Sequence, residues 1–175
     1  MTTENQPQLD VPQLVLDAHE RCQEHLSPTP LEYSRYLSEK IEGEVWLKSQ
    51  NPKVEAFGVS PENSPVMYES MRANKMVEME TYPTLADTCA GGVDLDSITL
   101  DLCQRYVDEI MLLTETEIEA SIRLLFEQHR LVVEGSGALS VGGLLKRKEH
   151  FKGKKVVAVV CGRNIPLELF KRIIA

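Results

Sequence analysis

The 175-residue chain is poor in several things that would each announce a function. Its four cysteines, Cys22, Cys89, Cys103 and Cys161, are widely spaced, with no CxxC pair among them. They read as reduced thiols, not as a disulfide framework. No apolar stretch approaches a membrane span, and the longest run is Val156 to Cys161. The opening residues Met1 to Gln6 are polar and acidic, without a basic segment and apolar core, so no secretory leader is read and the expected location is cytoplasmic. A formal net charge of -8 disfavours a broad nucleic-acid surface, because phosphate binding needs clustered Lys and Arg. Internal repeats and low-complexity tracts are absent. What remains is an ordinary globular balance, 42% apolar and 26% charged, in a length suited to one domain or two small ones sharing a core.

Hydrophobic periodicity organises that length. Leu14, Val15, Ala18, Cys22 and Leu26 share one face of a helix over about 11–26, which Ser27-Pro28-Thr29-Pro30 ends. Short strands are expected at 44–48 and 53–60. Ser64-Pro65 opens a helix with Ser64 as its cap, and Asn74 is a left-handed stop. Ile98, Leu102, Tyr106 and Ile110 recur every four residues and predict a helix capped by Ser97. Thr114 and Glu117 form a capping box ahead of Ile118, Ile122, Leu125 and Phe126. Gly135 to Leu145, rich in Gly, Ala and Ser, suits a helix packed closely on a sheet. Val156 to Val160 is uniformly apolar, the pattern of a central strand covered on both faces. A last helix starts at Asn164-Ile165-Pro166 and ends near Ile174. Alternating strands and helices predict an α/β fold with a small, mostly parallel sheet covered by helices.

Few single motifs carry chemistry. Gly135-Ser136-Gly137 fails the dinucleotide fingerprint, because Ser140 stands at the third glycine position, and close helix packing explains the glycines better. His19, Cys22 and His25 share a helical spacing, but a structural zinc site closes with a fourth ligand and none is evident. His129 and His150 read as solvated helix ends. Thr84 to Gly92 fits a ligand loop and a plain surface turn equally well. Cys161-Gly162-Arg163-Asn164 follows the apolar strand, and ligands of α/β sheets gather at the carboxyl ends of strands. A simple strand-to-helix turn is the alternative there.

Taken in order, the segments form a set: Leu16 to Arg21, Thr29 to Ser34, Val45 to Lys48, Val59 to Pro65, Thr84 to Asp87, Val133 to Ala138 and Val160 to Ile165. This set resembles the threonine and serine dehydratases (ammonia-lyases), pyridoxal-phosphate enzymes of the tryptophan-synthase-β type. The resemblance spans nearly the whole chain, in the short form without an appended regulatory domain, and implies a partial version of that fold in a single domain, 1–175. Segment 1–48 resembles the family's N-terminal part and 49–175 its C-terminal part. It implies pyridoxal phosphate as cofactor, with Cys161 facing the pyridine nitrogen, Gly162 beside it, and Glu134 next to cofactor and substrate. Full-length relatives remove the α-proton and β-hydroxyl of L-threonine or L-serine, giving a 2-keto acid and ammonia.

The departures from that pattern are as informative. After Val45-Trp46-Leu47-Lys48 such enzymes continue into a Ser-Phe-Lys segment that carries the Schiff-base lysine. Here Lys48 runs into Ser49-Gln50-Asn51-Pro52, text that resembles a stretch much further on. The intervening lobe, with the catalytic lysine and the glycine-rich phosphate loop, is missing near 48–50, and Lys48 matches a non-catalytic position. Thr88 replaces a usual glycine. Ser60 and Val66 stand where some relatives have the acidic ligands of a divalent cation, so no metal site is expected. The expectation is a shortened dehydratase-type chain without catalytic residues, inactive alone. The alternative is a non-catalytic interaction protein that pairs with itself or with a full-length relative through the retained helices. Loss of a lobe is also expected to leave apolar faces exposed.

Overall fold

The computed structural model describes residues 13, 16–17, 32–33, 35–47 and 55–175. The chain forms two compact units, Met1–Leu31 and Glu32–Ala175. In the first, Gln13, Leu16 and Asp17 are helical and exposed, and the Gln13 amide donates to Asp17 Oδ1 at 2.7 Å, the i,i+4 contact of a helix. The rest of the helix expected at 11–26, including His19, Cys22 and His25, lies outside the described residues, as does Lys48.

The second unit runs β1 (Glu32–Tyr33), α1 (Arg35–Ile41), β2 (Glu44–Leu47), β3 (Phe57–Pro61), α2 (Val66–Ala73), a 3-10 turn (Asp87–Cys89), α3 (Thr99–Tyr106), β4 (Glu109–Leu113), α4 (Glu115–His129), α5 (Gly135–Lys146), α6 (Lys148–Phe151), β5 (Lys155–Val157) and α7 (Leu167–Ile174). This is the expected α/β alternation, and its strands form two small sheets. One has the order β1-β2-β5, with β1 antiparallel and β5 parallel to β2. The other pairs β3 with β4 in parallel, from Phe57 opposite Glu109 to Pro61 opposite Leu113.

Local chemistry explains most boundaries. The Thr114 hydroxyl accepts from Glu117 N at 3.2 Å, and the Glu117 carboxylate accepts from Thr114 N at 2.8 Å, so the capping box forms and starts α4. Ile118, Ile122 and Leu125 are almost fully buried behind it, each contributing ~1.5–3 kcal/mol of burial. Asn74 ends α2 with φ 54°, the expected left-handed stop. The glycines of α5 let it lie directly on the second sheet. A Cβ at Gly142 would sit 2.4 Å from a Leu113 methyl, and one at Gly143 2.7 Å from a Val59 methyl. Phe170 of α7 stacks edge-on to Phe126 of α4, with centroids 5.1 Å apart.

Six expectations need correction. Ile110 is not helical: α3 stops at Tyr106, and Ile110 sits in β4 opposite Gly58, because the four-residue recurrence straddles a helix and a strand. Nor does Ser97 cap that helix: Ile98 takes the cap position of α3, although the Ser97 hydroxyl accepts from Thr99 N at 3.3 Å. Ser64 does not cap α2. Its hydroxyl is buried and accepts from Gly91 N at 3.1 Å, and Pro65 takes the cap position. The second strand is Phe57–Pro61, paired from Glu109 onward, with Glu55 and Ala56 outside it, while 53–54 of the expected span lie outside the described residues. Val156 to Val160 is not a central strand: β5 lies at a sheet edge, with Val157 44% and Val159 62% exposed while Ala158 between them is buried. His150 is not merely solvated. Its ring stacks edge-on to Phe57 and Phe151, and its Nε2 lies 3.4 Å from a Glu55 carboxylate oxygen.

Candidate functional site

Glu134 is the centre of the site. Buried Val133 leads into it, and it occupies the cap position of α5 in extended conformation. Its side chain does not cap the helix. One oxygen accepts from the Ser136 hydroxyl at 2.8 Å, with Thr88 Oγ1 at 3.5 Å, and the other accepts from Asn164 N at 2.8 Å. Its own N–H donates to Gly162 O at 3.3 Å. Thr88, on the 3-10 turn, also bonds the Ser136 hydroxyl. One carboxylate therefore ties together the turn at 87–89, the start of α5 and the loop 161–164.

The backbone at this point allows almost no added volume. A Cβ at Gly135 would lie 1.9 Å from Leu85 O, and one at Gly137 2.3 Å from Cys161 O. Gly162 has φ +93°, and a Cβ there would lie 2.4 Å from the Glu134 carboxylate. Glycine is required at Gly162 on both counts. The loop ahead of the turn is held from the end of β3 and the start of α4. Asn63 Nδ2 donates to Pro83 O at 2.6 Å, and Leu85 N donates to Glu115 Oε2 at 2.6 Å. The Pro61 to Pro65 motif thus serves to position the loop carrying Ala86 and Thr88.

The electrostatics follow from these contacts. The Ser136 hydroxyl first, and Asn164 N–H next, hold the Glu134 carboxyl below the ordinary carboxylate range against the pull of burial. Burial pushes the Cys89 thiol up; Thr88 opposes this, while Cys161 and the carboxylates of Asp87 and Glu134 reinforce it. The site is an acidic, hydroxyl-lined corner with the Cys89 and Cys161 thiols nearby.

Glu134, Cys161 and Gly162, the three residues singled out by sequence, converge here; Cys161 and Gly162 are exposed and Glu134 is buried. Sequence reasoning noticed Thr88 only as a substituted glycine and passed over Ser136 and Asn164. A hydroxyl two residues past a carboxylate at a helix start was the legible signal for Ser136. Asn164 contributes a backbone N–H, which no residue type encodes.

Similarity to known proteins fits this geometry. The family model described as pyridoxal-phosphate dependent enzyme matches residues 47–162. The chain is 42% identical over 130 residues to the L-threonine ammonia-lyase of Thermotoga maritima, covering 74% of this chain and 32% of that one. It is 33% identical over 134 residues to the catabolic L-threonine dehydratase of Escherichia coli, covering 74% and 40%. Among solved structures, the processed threonine deaminase isoform 2 of Solanum lycopersicum aligns with a TM-score of 0.64 at 25% identity, covering 70% of this chain and 36% of that one. The chain thus spans about a third of the length of the relatives it matches, and its fold is of the tryptophan-synthase-β-like kind.

The partners of Glu134 among the described residues do not fit an anchored pyridoxal phosphate. An aldehyde needs an amine, and a phosphate needs a cluster of N–H or cationic donors. The contacts at Glu134 come from two hydroxyls and one backbone N–H. The lysines with described ion pairs are engaged elsewhere: Lys146 with Glu117, Lys152 with Glu42, Lys154 with Glu55, Lys155 with Glu44 and Lys171 with Glu168.

Proposed function

Because the chain belongs to the pyridoxal-phosphate-dependent enzymes, in the threonine and serine dehydratase family, we propose that it is a shortened, non-catalytic member of that family. In this reading Cys161, Gly162 and Glu134 are what remains of the cofactor wall, and the lobe that would supply the amine and the phosphate cradle is missing between the parts equivalent to 1–48 and 49–175. The observation that carries the proposal is the engagement of Glu134 by its own chain, through Ser136, Thr88 and Asn164, with no lysine among its described partners. A carboxylate so engaged acts as a structural clasp for the 161–164 loop.

Two measurements test this. The purified chain is mixed with pyridoxal phosphate, reduced with borohydride, and its intact mass and labelled peptides are read. The expected result is scattered substoichiometric labelling of surface lysines, with keto-acid release from L-threonine at the blank rate. A single stoichiometric adduct on one lysine, with saturable keto-acid production, overturns the proposal. Exposed Val157 and Val159 support a second reading, a protein whose role is association. Size-exclusion chromatography of the chain with a full-length dehydratase is expected to give a mixed complex at micromolar concentration. Independent elution defeats that reading.

A further inference from the structure

Among the described residues Cys89, Cys103 and Cys161 are free thiols, and the clasp at Glu134 gathers two of them. Cys89 closes the 3-10 turn, its N–H donating to Ala86 O at 2.9 Å. Cys161 opens the loop 161–164. The residues beside these cysteines meet at a single atom. Thr88 Oγ1 lies 3.5 Å from Glu134 Oε1, and a Cβ at Gly162 would lie 2.4 Å from that same oxygen. The two segments meet again on the first turn of α5. There Thr88 bonds the Ser136 hydroxyl, and Cys161 O lies against Gly137. Both thiols are exposed, so both are open to a reagent.

Hydrogen bonds through Glu134 hold these segments together. We propose that Cys89 and Cys161 add an oxidisable lock to the same clasp: a small-molecule disulfide of the glutathione type converts them to one intramolecular disulfide, which ties the 87–89 turn to the 161–164 loop. Cys161 loses its proton to solvent, and its thiolate attacks one sulfur of oxidised glutathione. A mixed disulfide forms and one glutathione thiolate leaves. Cys89 then gives its proton to solvent and attacks the Cys161 sulfur, closing the protein disulfide and releasing the second glutathione thiolate. Two protein thiols are oxidised, one glutathione disulfide is reduced, and the two glutathione thiolates take up the two protons. The order follows from surroundings. Burial pushes the Cys89 thiol up, which makes it the weaker first nucleophile and suits it to the resolving step.

The same surroundings single out this pair. Cys161 is among the groups whose charge acts on the Cys89 thiol. Cys103 of α3 is half-buried, and burial is what pushes its thiol up, with no other thiol contributing. The turn also has room to adjust. A Cβ at Gly91 or Gly92 would meet nothing within 4 Å, so the chain just after Cys89 has open space beside it. The bond would enclose everything from α3 to β5, and closing a long loop stabilises a fold by restricting the unfolded chain.

The test uses the intact, fully reduced chain. It is incubated with oxidised glutathione, free thiols are alkylated, and intact mass and non-reduced peptides are read. The expected product is a monomer lacking two hydrogens, with one peptide pair joined through Cys89 and Cys161 and with Cys22 and Cys103 outside the bond. Cys89→Ser is expected to stop at a single glutathione on Cys161. The urea midpoint of the oxidised chain is expected to exceed that of the reduced chain. The midpoint lost on Glu134→Gln is expected to shrink about twofold or more in the oxidised form, because both locks hold the same two segments. Unreacted thiols, glutathione persisting on both cysteines, a bond to Cys22 or Cys103, or a disulfide-linked dimer overturns the proposal. An equal Glu134→Gln loss in both redox forms overturns it too, since the disulfide would then lie off the clasp.

Discussion

Gly137 lies where the start of α5 and the loop after β5 touch, and a single methyl there separates the two. With its Cβ 2.3 Å from a backbone oxygen, Gly137→Ala is expected to destabilise the protein by ~1–3 kcal/mol or more in urea unfolding. Gly92→Ala meets nothing within 4 Å and is expected to stay within ~0.5 kcal/mol of the parent. Equal effects would mean that the contact at Cys161 O does not hold the loop. Glu134 makes a complementary prediction in pH. Its folded-state carboxyl titrates below the ordinary value, so its contribution is complete above the ordinary carboxylate range and is lost as pH falls through the lowered value. In Glu134→Gln, which cannot titrate, the part of the acid-limb slope below about pH 4.5 is expected to disappear from urea midpoints measured against pH. An unchanged slope would assign the acid sensitivity to other carboxylates, of which Glu117 is the nearest rival. Burial raises Glu117, but Thr114 N–H and the Lys146 ammonium outweigh that and lower it.

At the scale of elements, α4 depends on a local device and α5 on its neighbours. Thr114→Ala removes the hydroxyl that accepts from Glu117 N and is expected to cost about 1 kcal/mol, with hydrogen exchange rising first at the N-terminal turn of α4. No cost in urea unfolding would mean that burial of Ile118 alone fixes the helix start. The difference tracks what sequence reveals. The capping box, the left-handed Asn74 and the glycine-rich helix were legible because each rests on residues within one turn. The helix expected through Ile110 failed because β4 is decided by its pairing with β3, some fifty residues away, which overrides a four-residue recurrence. The site divides the same way. Glu134, Cys161 and Gly162 were named through the family resemblance, while Thr88 and Asn164 join Glu134 only through the packing of α5 against two distant loops.

For the whole molecule, the consequence of a small fold with interrupted sheets is exposed apolar surface beside unpaired strand edges. Val157, Val159 and Leu167 are 44%, 62% and 63% exposed, and a protein of formal charge -8 has only modest repulsion to keep such surfaces apart. Salt screens that repulsion within ~8 Å at physiological strength and leaves the apolar attraction in place. Self-association measured by light scattering is therefore expected to increase with added salt. Val159→Lys places a cation at the most exposed valine of the edge, the means by which natural edge strands resist pairing. Because Val159 is largely solvated, the urea midpoint is expected to move by no more than ~0.5 kcal/mol in equivalent stability while the concentration at the onset of scattering rises. If the onset does not move, association proceeds through another face, and exposed Ile98 and Tyr106 at the two ends of α3 are the next surface to charge.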